Sequence, residues 1–354
     1  MKIEEIDQNF AQQGSTTGAK QFYNAAEAPF GLYGVFYDGQ IGKFLRMPQE
    51  IATRVNDGVS HLNACTAGGR VRFFTDSSEI TLKATWNIFG KMPHMPLSGS
   101  SGFSLLEKTA RGEKLVATLM PDWTSEQGFE RSAKLCGKMK EYVLYFPLYN
   151  EVTSLTLGFD GGAKVLGGNK YKPVLPIVYY GSSITQGGCA SRPDTSYQAL
   201  IAKDRNVDFI NLGFSGNARA EDAMIDYLAS LDCGIMVFDY DHNAPSAQFL
   251  RDTHRKMYVR YREKRPVTPL LLISKPDIGR ENEWKERAAI VRETYEYALQ
   301  NGDGHIYFIE GKTLLQGKWR ENCTVDGTHP TDLGFYRMAR VIGKKLAQIF
   351  KKEY

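Results

Sequence analysis

The sequence lacks the features that mark several large classes of protein. Its 354 residues contain no apolar run of about eighteen residues, so no membrane span is predicted. The formal charge of +4 is spread along the chain without a basic block, which argues against nucleic acid as a partner. The first seven residues carry acidic side chains where a signal peptide needs an apolar stretch, and we therefore expect a cytoplasmic protein.

Cysteine usage excludes two kinds of site. The five cysteines are odd in number and widely spaced, and no Cys-x-x-Cys pair occurs. This pattern does not support a zinc knuckle or a thioredoxin-type site, and it is typical of free thiols in a reducing compartment. With 42% apolar and 24% charged residues, the composition is that of an ordinary globular protein.

The first half of the chain has the pattern of an all-β domain. Short β-branched and aromatic runs, such as residues 71–74, 80–86 and 142–146, are separated by turn residues. Many short strands of this kind predict a β-sandwich or jelly roll. The glycine-rich stretch at 161–169 predicts a loop or linker, so we place a β-domain at 1–168 and a second domain at 169–354.

The second half alternates between apolar runs and helical stretches. The apolar runs lie at 174–180, 208–212, 235–238, 270–273 and 306–309. The helical stretches lie at 196–204, 220–231, 246–263, 283–300 and about 331–350. Five strands with intervening helices predict an α/β fold with a doubly wound, flavodoxin-like parallel sheet. Ligands of such sheets bind beyond the carboxyl ends of the strands, so the strand-end loops are where chemistry is expected.

The loop after the first of these strands, Gly-Ser-Ser-Ile-Thr-Gln-Gly-Gly at 181–188, fits none of three common motifs. It lacks the spacing of the dinucleotide fingerprint and of the P-loop, and Gly-x-Ser-x-Gly occurs nowhere in the chain. What remains is a serine pair, Ser182 and Ser183, on a tight glycine turn. Such a serine is either an exposed nucleophile whose own N–H binds an oxyanion, or only a turn and helix cap.

Three further strand-end loops carry candidate residues. Gly216 offers an approachable backbone N–H or is a plain turn glycine. Residues 239–243 are Asp-Tyr-Asp-His-Asn. This loop is a weak candidate for a metal site, and a better interpretation is that the side-chain amide of Asn243 donates a hydrogen bond to an oxyanion. His329 follows Asp326 by three residues in a Gly- and Pro-containing loop, the arrangement of a base and its orienting acid; a structural histidine is the alternative.

Together, and in this order along residues 173–351, the four blocks resemble the SGNH, or GDSL-type, hydrolases. The resemblance implies that Ser183 is the nucleophile, His329 the base and Asp326 the residue that orients the base. It also implies an oxyanion hole formed by the N–H groups of Ser183 and Gly216 with the amide of Asn243, and a reaction that needs neither a metal nor an organic cofactor.

This sequence departs from the family pattern at two places. Ser182 stands where the family has an aspartate before the nucleophile. Asp241 and His242 stand where glycines usually precede the asparagine, and we expect His242 to line the substrate pocket rather than to transfer protons.

The first half is similar to the N-terminal β-domains of two-domain carbohydrate esterases and of bacterial SGNH esterases. Residues 29–34 and 92–96 resemble segments of the latter, and 102–106 looks like a degenerate Gly-x-Asp-Leu-Tyr block. The resemblance implies a serine esterase that removes O-acyl groups, above all O-acetyl groups, from carbohydrates, and a β-domain that packs beside the active site. In the loop at 92–96, which two prolines stiffen, His94 is expected to form part of a wall of the acceptor pocket; ordinary packing between the domains, with His94 as a structural residue, is the alternative. A short-chain acyl lipase or thioesterase and a sugar-binding protein without turnover remain alternatives. The expected partner is a small-molecule or oligosaccharide ester, and the sequence leaves homo-oligomerisation open.

Overall fold

The structure, a computed structural model, describes residues 3–7, 18–172, 175–276 and 283–354. The strands of the first half are β1 (Lys20–Asn24), β2 (Gly31–Tyr33), β3 (Phe36–Asp38), β4 (Lys43–Leu45), β5 (Arg70–Thr75), β6 (Glu79–Thr85), β7 (Phe103–Thr109), β8 (Gly112–Leu119), β9 (Gly128–Lys134), β10 (Lys140–Tyr145), β11 (Ser154–Asp160) and β12 (Val165–Gly167). They form two antiparallel sheets, with strand orders β1-β11-β6-β9 and β12-β5-β10-β7-β8; β2 also pairs with β5, and β3 pairs with β4. The predicted β-sandwich is confirmed.

The alternation of side chains along β10 explains how this sandwich meets the second half. Tyr142 and Leu144 point into the core between the two sheets. Val143 and Tyr145 point the other way and belong to the core of the second half. Because successive strand residues face opposite sides, one strand is buried on both faces and joins the two halves.

The first half also contains short helices that the all-β expectation missed. They are α1 (Ile3–Ile6), α2 (Gln49–Val55), α3 (Asp57–Leu62) and α4 (Leu97–Ser100). Helices α2 and α3 pack on the second half, where Val59 shares a core with Tyr180. The glycine-rich stretch is not all linker either, since β12 pairs with β5. The boundary between 168 and 169 stays a prediction.

The second half is a five-stranded, all-parallel sheet with the order β14-β13-β15-β16-β17. Its strands are β13 (Ile177–Gly181), β14 (Phe209–Gly213), β15 (Ile235–Asp239), β16 (Leu270–Ile273) and β17 (Ile306–Ile309). Its helices are α5 (Ser183–Gln186), α6 (Tyr197–Arg205), α7 (Asp222–Ser230), α8 (Ala247–Lys264), α9 (Glu283–Gln300) and α10 (Asp332–Glu353). This confirms the predicted doubly wound sheet. In the part of the chain that the structure describes, no helix is both long and apolar enough to cross a membrane.

The edge strand β14 is covered by buried arginines of the first half. The carbonyl groups of Phe209, Asn211 and Gly213 point away from β13, because alternate residues of a strand present their backbone groups to opposite sides. Arg70 donates to Phe209 at 3.1 Å, and Arg46 donates to Asn211 at 3.1 Å and to Gly213 at 2.6 Å. Two guanidinium groups thus occupy the place of a sixth strand and protect an edge that would otherwise be open to pairing.

Candidate active site

The serine pair lies where β13 ends and α5 begins. A Cβ atom on Gly181 would lie 2.1 Å from Thr185 Oγ1 and 2.3 Å from the carbonyl oxygen of Asp239, so only glycine allows this tight turn. Ser182 Oγ accepts a hydrogen bond from the Ile184 N–H at 3.2 Å and caps α5. Ser182 is therefore a helix cap, and Ser183 is the serine of the pair that remains as the candidate nucleophile.

Ser183 meets the two other residues predicted for proton transfer. Its Oγ lies 2.9 Å from His329 Nε2, and His329 Nδ1 lies 2.7 Å from Asp326 Oδ2. Asp326 Oδ1 accepts from the backbone N–H groups of Thr328 and His329 at 2.9 and 2.8 Å. Gly327, at φ +89°, provides the left-handed conformation on which this turn depends.

The hydrogen bonds at Asp326 determine its charge and the tautomer of the histidine. Burial acts to raise the pKa of Asp326, but hydrogen bonds from the side chain and backbone of His329 and from Thr328 outweigh it and lower the pKa to about 2. An ionised carboxylate only accepts hydrogen bonds, so His329 Nδ1 carries the proton. His329 Nε2 is then free to accept from the hydroxyl of Ser183.

The predicted oxyanion donors lie at three neighbouring strand ends. The Ser183 N–H is the first of α5 and has no acceptor within the helix. Gly216, at φ +70°, is exposed and has open space where a Cβ would stand, while Arg219 binds its carbonyl at 3.2 and 3.0 Å. Asn243 Nδ2 donates to the Phe214 carbonyl at 2.8 Å, which engages one of its two amide hydrogens.

Comparison with known families matches both halves of the chain. Residues 174–347 match the GDSL-like lipase/acylhydrolase family, and residues 20–165 match the GxDLY domain, the N-terminus of SGNH-hydrolase-type esterases. The chain belongs to the SGNH, or GDSL-type, hydrolases. Its family makes it an ester hydrolase. No curated protein matches it significantly.

Solved structures share the architecture of this SGNH hydrolase over four fifths of its length or more. A protein of Bacteroides ovatus ATCC 8483, assigned as a GDSL-like lipase, is 29% identical with a TM-score of 0.84, covering 94% of this chain and 98% of its own. The salicylyl-acyltransferase SsfX3 of a tetracycline biosynthetic pathway is 17% identical (TM-score 0.76; 93% and 97% covered). A family two carbohydrate esterase from Clostridium thermocellum, in complex with cellohexaose, is 14% identical (TM-score 0.60; 80% and 93% covered).

Burial shifts the pKa of both residues that replace the family's glycines in this hydrolase. Asp241 Oδ2 accepts from the backbone N–H of Lys275 at 2.9 Å and so ties the loop after β15 to the loop after β16. Burial raises the pKa of Asp241 to about 6. Burial, with the positive charge of Lys275 and the nearby His329, lowers the pKa of His242 to about 3. His242 is therefore neutral in its place beside the catalytic candidates.

His94 comes to the site from the first half. Its exposed imidazole ring lies with its centroid 6.0 Å from that of His329. A loop of the β-domain thus reaches the predicted base. The role of His94 in binding an acceptor stays a prediction.

Two residues of the first half that the sequence analysis missed hold the nucleophile turn. Tyr149 Oη donates to the carbonyl of Ser183 at 3.2 Å. Burial raises the pKa of Tyr149, and a hydrogen bond with Ser215 acts in the opposite direction. Gln186 Nε2 donates to the carbonyl of Leu148 at 3.2 Å, and Gln186 Oε1 accepts from the Ser215 N–H at 3.0 Å. No motif marks Tyr149 or Leu148, because their positions depend on how the two halves pack.

Side chains that commonly bind metals do not cluster in the described part of the chain. Within 3–7, 18–172, 175–276 and 283–354, no group of three or more His, Cys, Asp or Glu side chains could hold a metal ion. All five cysteines are free thiols that form no disulfide bond, and four of them are buried.

Proposed function

We propose that this SGNH hydrolase is a serine esterase that removes O-acetyl groups from carbohydrate substrates through an acyl-serine intermediate. The observation that carries the proposal is the continuous chain of hydrogen bonds from Ser183 Oγ through both nitrogens of His329 to Asp326, at 2.9 and 2.7 Å. A hydroxyl, an imidazole and a carboxylate in this sequence are the parts that activate a serine for attack.

In the first half-reaction, Ser183 Oγ attacks the ester carbonyl while His329 Nε2 takes the hydroxyl proton. Asp326, which is ionised, stabilises the imidazolium that forms and holds its orientation. When the tetrahedral intermediate collapses, His329 gives the proton to the departing alcohol and an acyl-serine remains. Water then attacks the acyl-serine with His329 as base, and the carboxylic acid and free Ser183 are formed.

The negative charge of each tetrahedral intermediate needs fixed donors. We assign this role to the N–H groups of Ser183 and Gly216 and to the second amide hydrogen of Asn243. The bond from Asn243 Nδ2 to the Phe214 carbonyl keeps the amide in place before substrate binds. Donors that are already oriented need no reorganisation during the reaction, and one such donor contributes about 10² to 10³ in kcat.

The carbohydrate part of the proposal has two supports. Solved structures with this two-domain architecture include the family two carbohydrate esterase and an acetyl xylan esterase from Butyrivibrio proteoclasticus, which is 12% identical with a TM-score of 0.60. His94, beside His329, gives the β-domain a polar group at the site. A short-chain acyl lipase or thioesterase would use the same reacting groups with a different pocket.

The proposal is tested by measuring acetate release from a panel of acetylated mono- and oligosaccharides, together with p-nitrophenyl esters of two to eight carbons. We expect acetate release from the sugars and a preference for p-nitrophenyl acetate over longer chains. A fluorophosphonate should label the wild type and not Ser183→Ala. Absence of labelling and of turnover would indicate a binding protein, and a preference for longer chains would indicate a lipase or thioesterase.

A further inference from the structure

A cleft of about 330 Å³ lies beside the nucleophile turn, and all the residues that line it come from the first half. Tyr149 lines the cleft, and its hydroxyl donates to the carbonyl of Ser183. A Cβ placed on Gly188 would lie 3.0 Å from Tyr149 Oη and 3.2 Å from His329 Cδ2, so this hydroxyl and the predicted base approach the same point. One residue of the cleft lining is therefore in direct contact with the turn that carries Ser183.

The charges within the cleft balance each other. Lys43 Nζ pairs with Glu151 Oε2 at 3.0 Å, and Glu151 Oε1 accepts from the N–H groups of Asn87 and Ile88 at 2.6 and 3.0 Å. The Glu151 side chain is 5% exposed, but that of Lys43 is 24% exposed, and an ammonium group has three hydrogens to donate. Such a pair offers donors to a ligand without a net charge, which suits a neutral polar group better than an anion or a cation.

The remaining lining is partly polar and partly apolar. Ser60 and His61 contribute polar atoms on the α3 side. Ile41 and Ile88 line it with side chains that are 41% and 55% exposed, and the ring of Tyr149 adds an aromatic surface. A sugar ring presents hydroxyl groups at its edge and C–H groups on its faces, so it needs this mixture, whereas an acyl chain would need an apolar lining throughout.

We propose that this cleft binds one sugar unit of the ester, the part that carries or neighbours the departing alcohol. The volume supports a single unit, since it lies at the lower end of the ~300–1,000 Å³ typical of small-molecule sites. The inference rests on the proposed function, and it assigns the site at which the alcohol portion of the ester is bound. The β-domain is then a specificity-determining part of the enzyme.

The test compares 6-O-acetylglucose, whose other hydroxyl groups are free, with p-nitrophenyl acetate, whose alcohol part has no sugar ring. Ile88→Trp narrows the cleft and keeps the backbone N–H that binds Glu151, and His61→Ala removes a polar group from an exposed position. For 6-O-acetylglucose we expect kcat/KM to fall at least tenfold in Ile88→Trp and about threefold in His61→Ala, as for loss of one neutral hydrogen bond. The loss on p-nitrophenyl acetate should be no more than twofold.

A matched control is Val267→Trp, which places tryptophan on a side chain that is 65% exposed and does not line the cleft; it should behave as wild type on both substrates. Equal losses on the two substrates in the cleft variants, or none, would overturn the inference. So would a loss confined to p-nitrophenyl octanoate, which would make the cleft an acyl site. If wild type itself turns over no acetylated sugar, the proposed function has failed rather than the assignment of the cleft.

Discussion

The two halves of this hydrolase divide the work at the active site unequally. The second half supplies Ser183, His329, Asp326 and the three proposed oxyanion donors, each from a loop at the carboxyl end of a parallel strand or just before the last helix. The first half supplies none of these groups, but it contacts the segments that carry them. Tyr149 bonds the carbonyl of Ser183, and Arg46 bonds the last carbonyl of β14.

This difference shows why the catalytic loops need a neighbour. Helix α5 has only four residues, and Gly216 in the loop after β14 is exposed, so the shape of both segments depends on contacts with neighbouring elements. Arg46 is buried, stacks 4.5 Å from the centroid of the Phe214 ring, and donates to two carbonyls of β14. Burial lowers the pKa of Arg46 to about 10, a cost that its hydrogen bonds to backbone oxygens offset. The first half thereby holds the end of β14, where the loop with Gly216 begins.

The comparison of the two halves predicts that the largest loss of kcat follows from a substitution in the second half. Ser183→Ala should lower kcat by at least about 10⁴-fold, because it removes the nucleophile from a unit whose members act together. Stability should change little, since the Ser183 hydroxyl bonds only a half-buried imidazole. The measurement is acetate release from an acetylated sugar, with thermal unfolding in parallel.

The adjacent serine is the control for this prediction. Ser182→Ala removes the cap of α5 and should cost about 1 kcal/mol of stability with only a small effect on kcat. If Ser182→Ala were the inactive variant and Ser183→Ala kept more than a hundredth of wild-type kcat, the nucleophile would be misassigned.

The second-largest loss is expected from the oxyanion hole. Asn243→Ala should reduce kcat by about 10² to 10³ with little change in KM, because the amide acts on charge that develops only in the transition state. Steady-state kinetics on p-nitrophenyl acetate separates the two parameters. A rise in KM at constant kcat would instead place Asn243 in substrate binding.

From the sequence alone, the candidate site residues of the second half could be predicted far better than the residues that the first half contributes to the site. Each reacting group there follows a buried strand or stands in a loop with its partner three residues away, as for Asp326 and His329, so local pattern and a family resemblance suffice. Tyr149 and Arg46 carry no such pattern. They act through contacts with residues 34 and 165 or more positions away, which only the packing of the two halves decides.

A third prediction tests whether the first half affects the chemistry as well as the pocket. Tyr149→Phe keeps the aromatic wall of the cleft and removes only the hydroxyl that bonds Ser183. The Ser183 carbonyl still accepts from Gly187 and Gly188 at 3.1 and 2.8 Å, so the fold should persist. We expect kcat to fall about tenfold at most, equally on p-nitrophenyl acetate and 6-O-acetylglucose, as for one misplaced neutral hydrogen bond. A change confined to KM for the sugar would make Tyr149 a binding residue alone.

A fourth, smaller effect is expected at His94, the exposed residue that the β-domain places 6.0 Å from His329, ring centroid to ring centroid. His94→Ala should lower kcat/KM about threefold on acetylated oligosaccharides and less on p-nitrophenyl acetate, because remote binding energy helps only substrates that reach it. Competition between the two substrates in one reaction measures this ratio directly. Equal losses on both would assign His94 to the support of His329 rather than to the acceptor.

The smallest expected effect concerns His242, a residue of the second half that is close to the reaction without moving protons. Burial and the neighbouring positive charge lower its pKa to about 3, so it is neutral at any pH well above that value. A decline of kcat on acidification that begins above pH ~4 must then come from another group, since a histidine with a lowered pKa gains its proton only near the lowered value. The acid limb of the pH profile for p-nitrophenyl acetate should therefore have the same midpoint in His242→Ala as in wild type, whatever the change in KM. A shift of that midpoint by half a pH unit or more would give His242 a part in proton transfer. The second half would then contribute one more catalytic residue, at a position where its family usually has glycine.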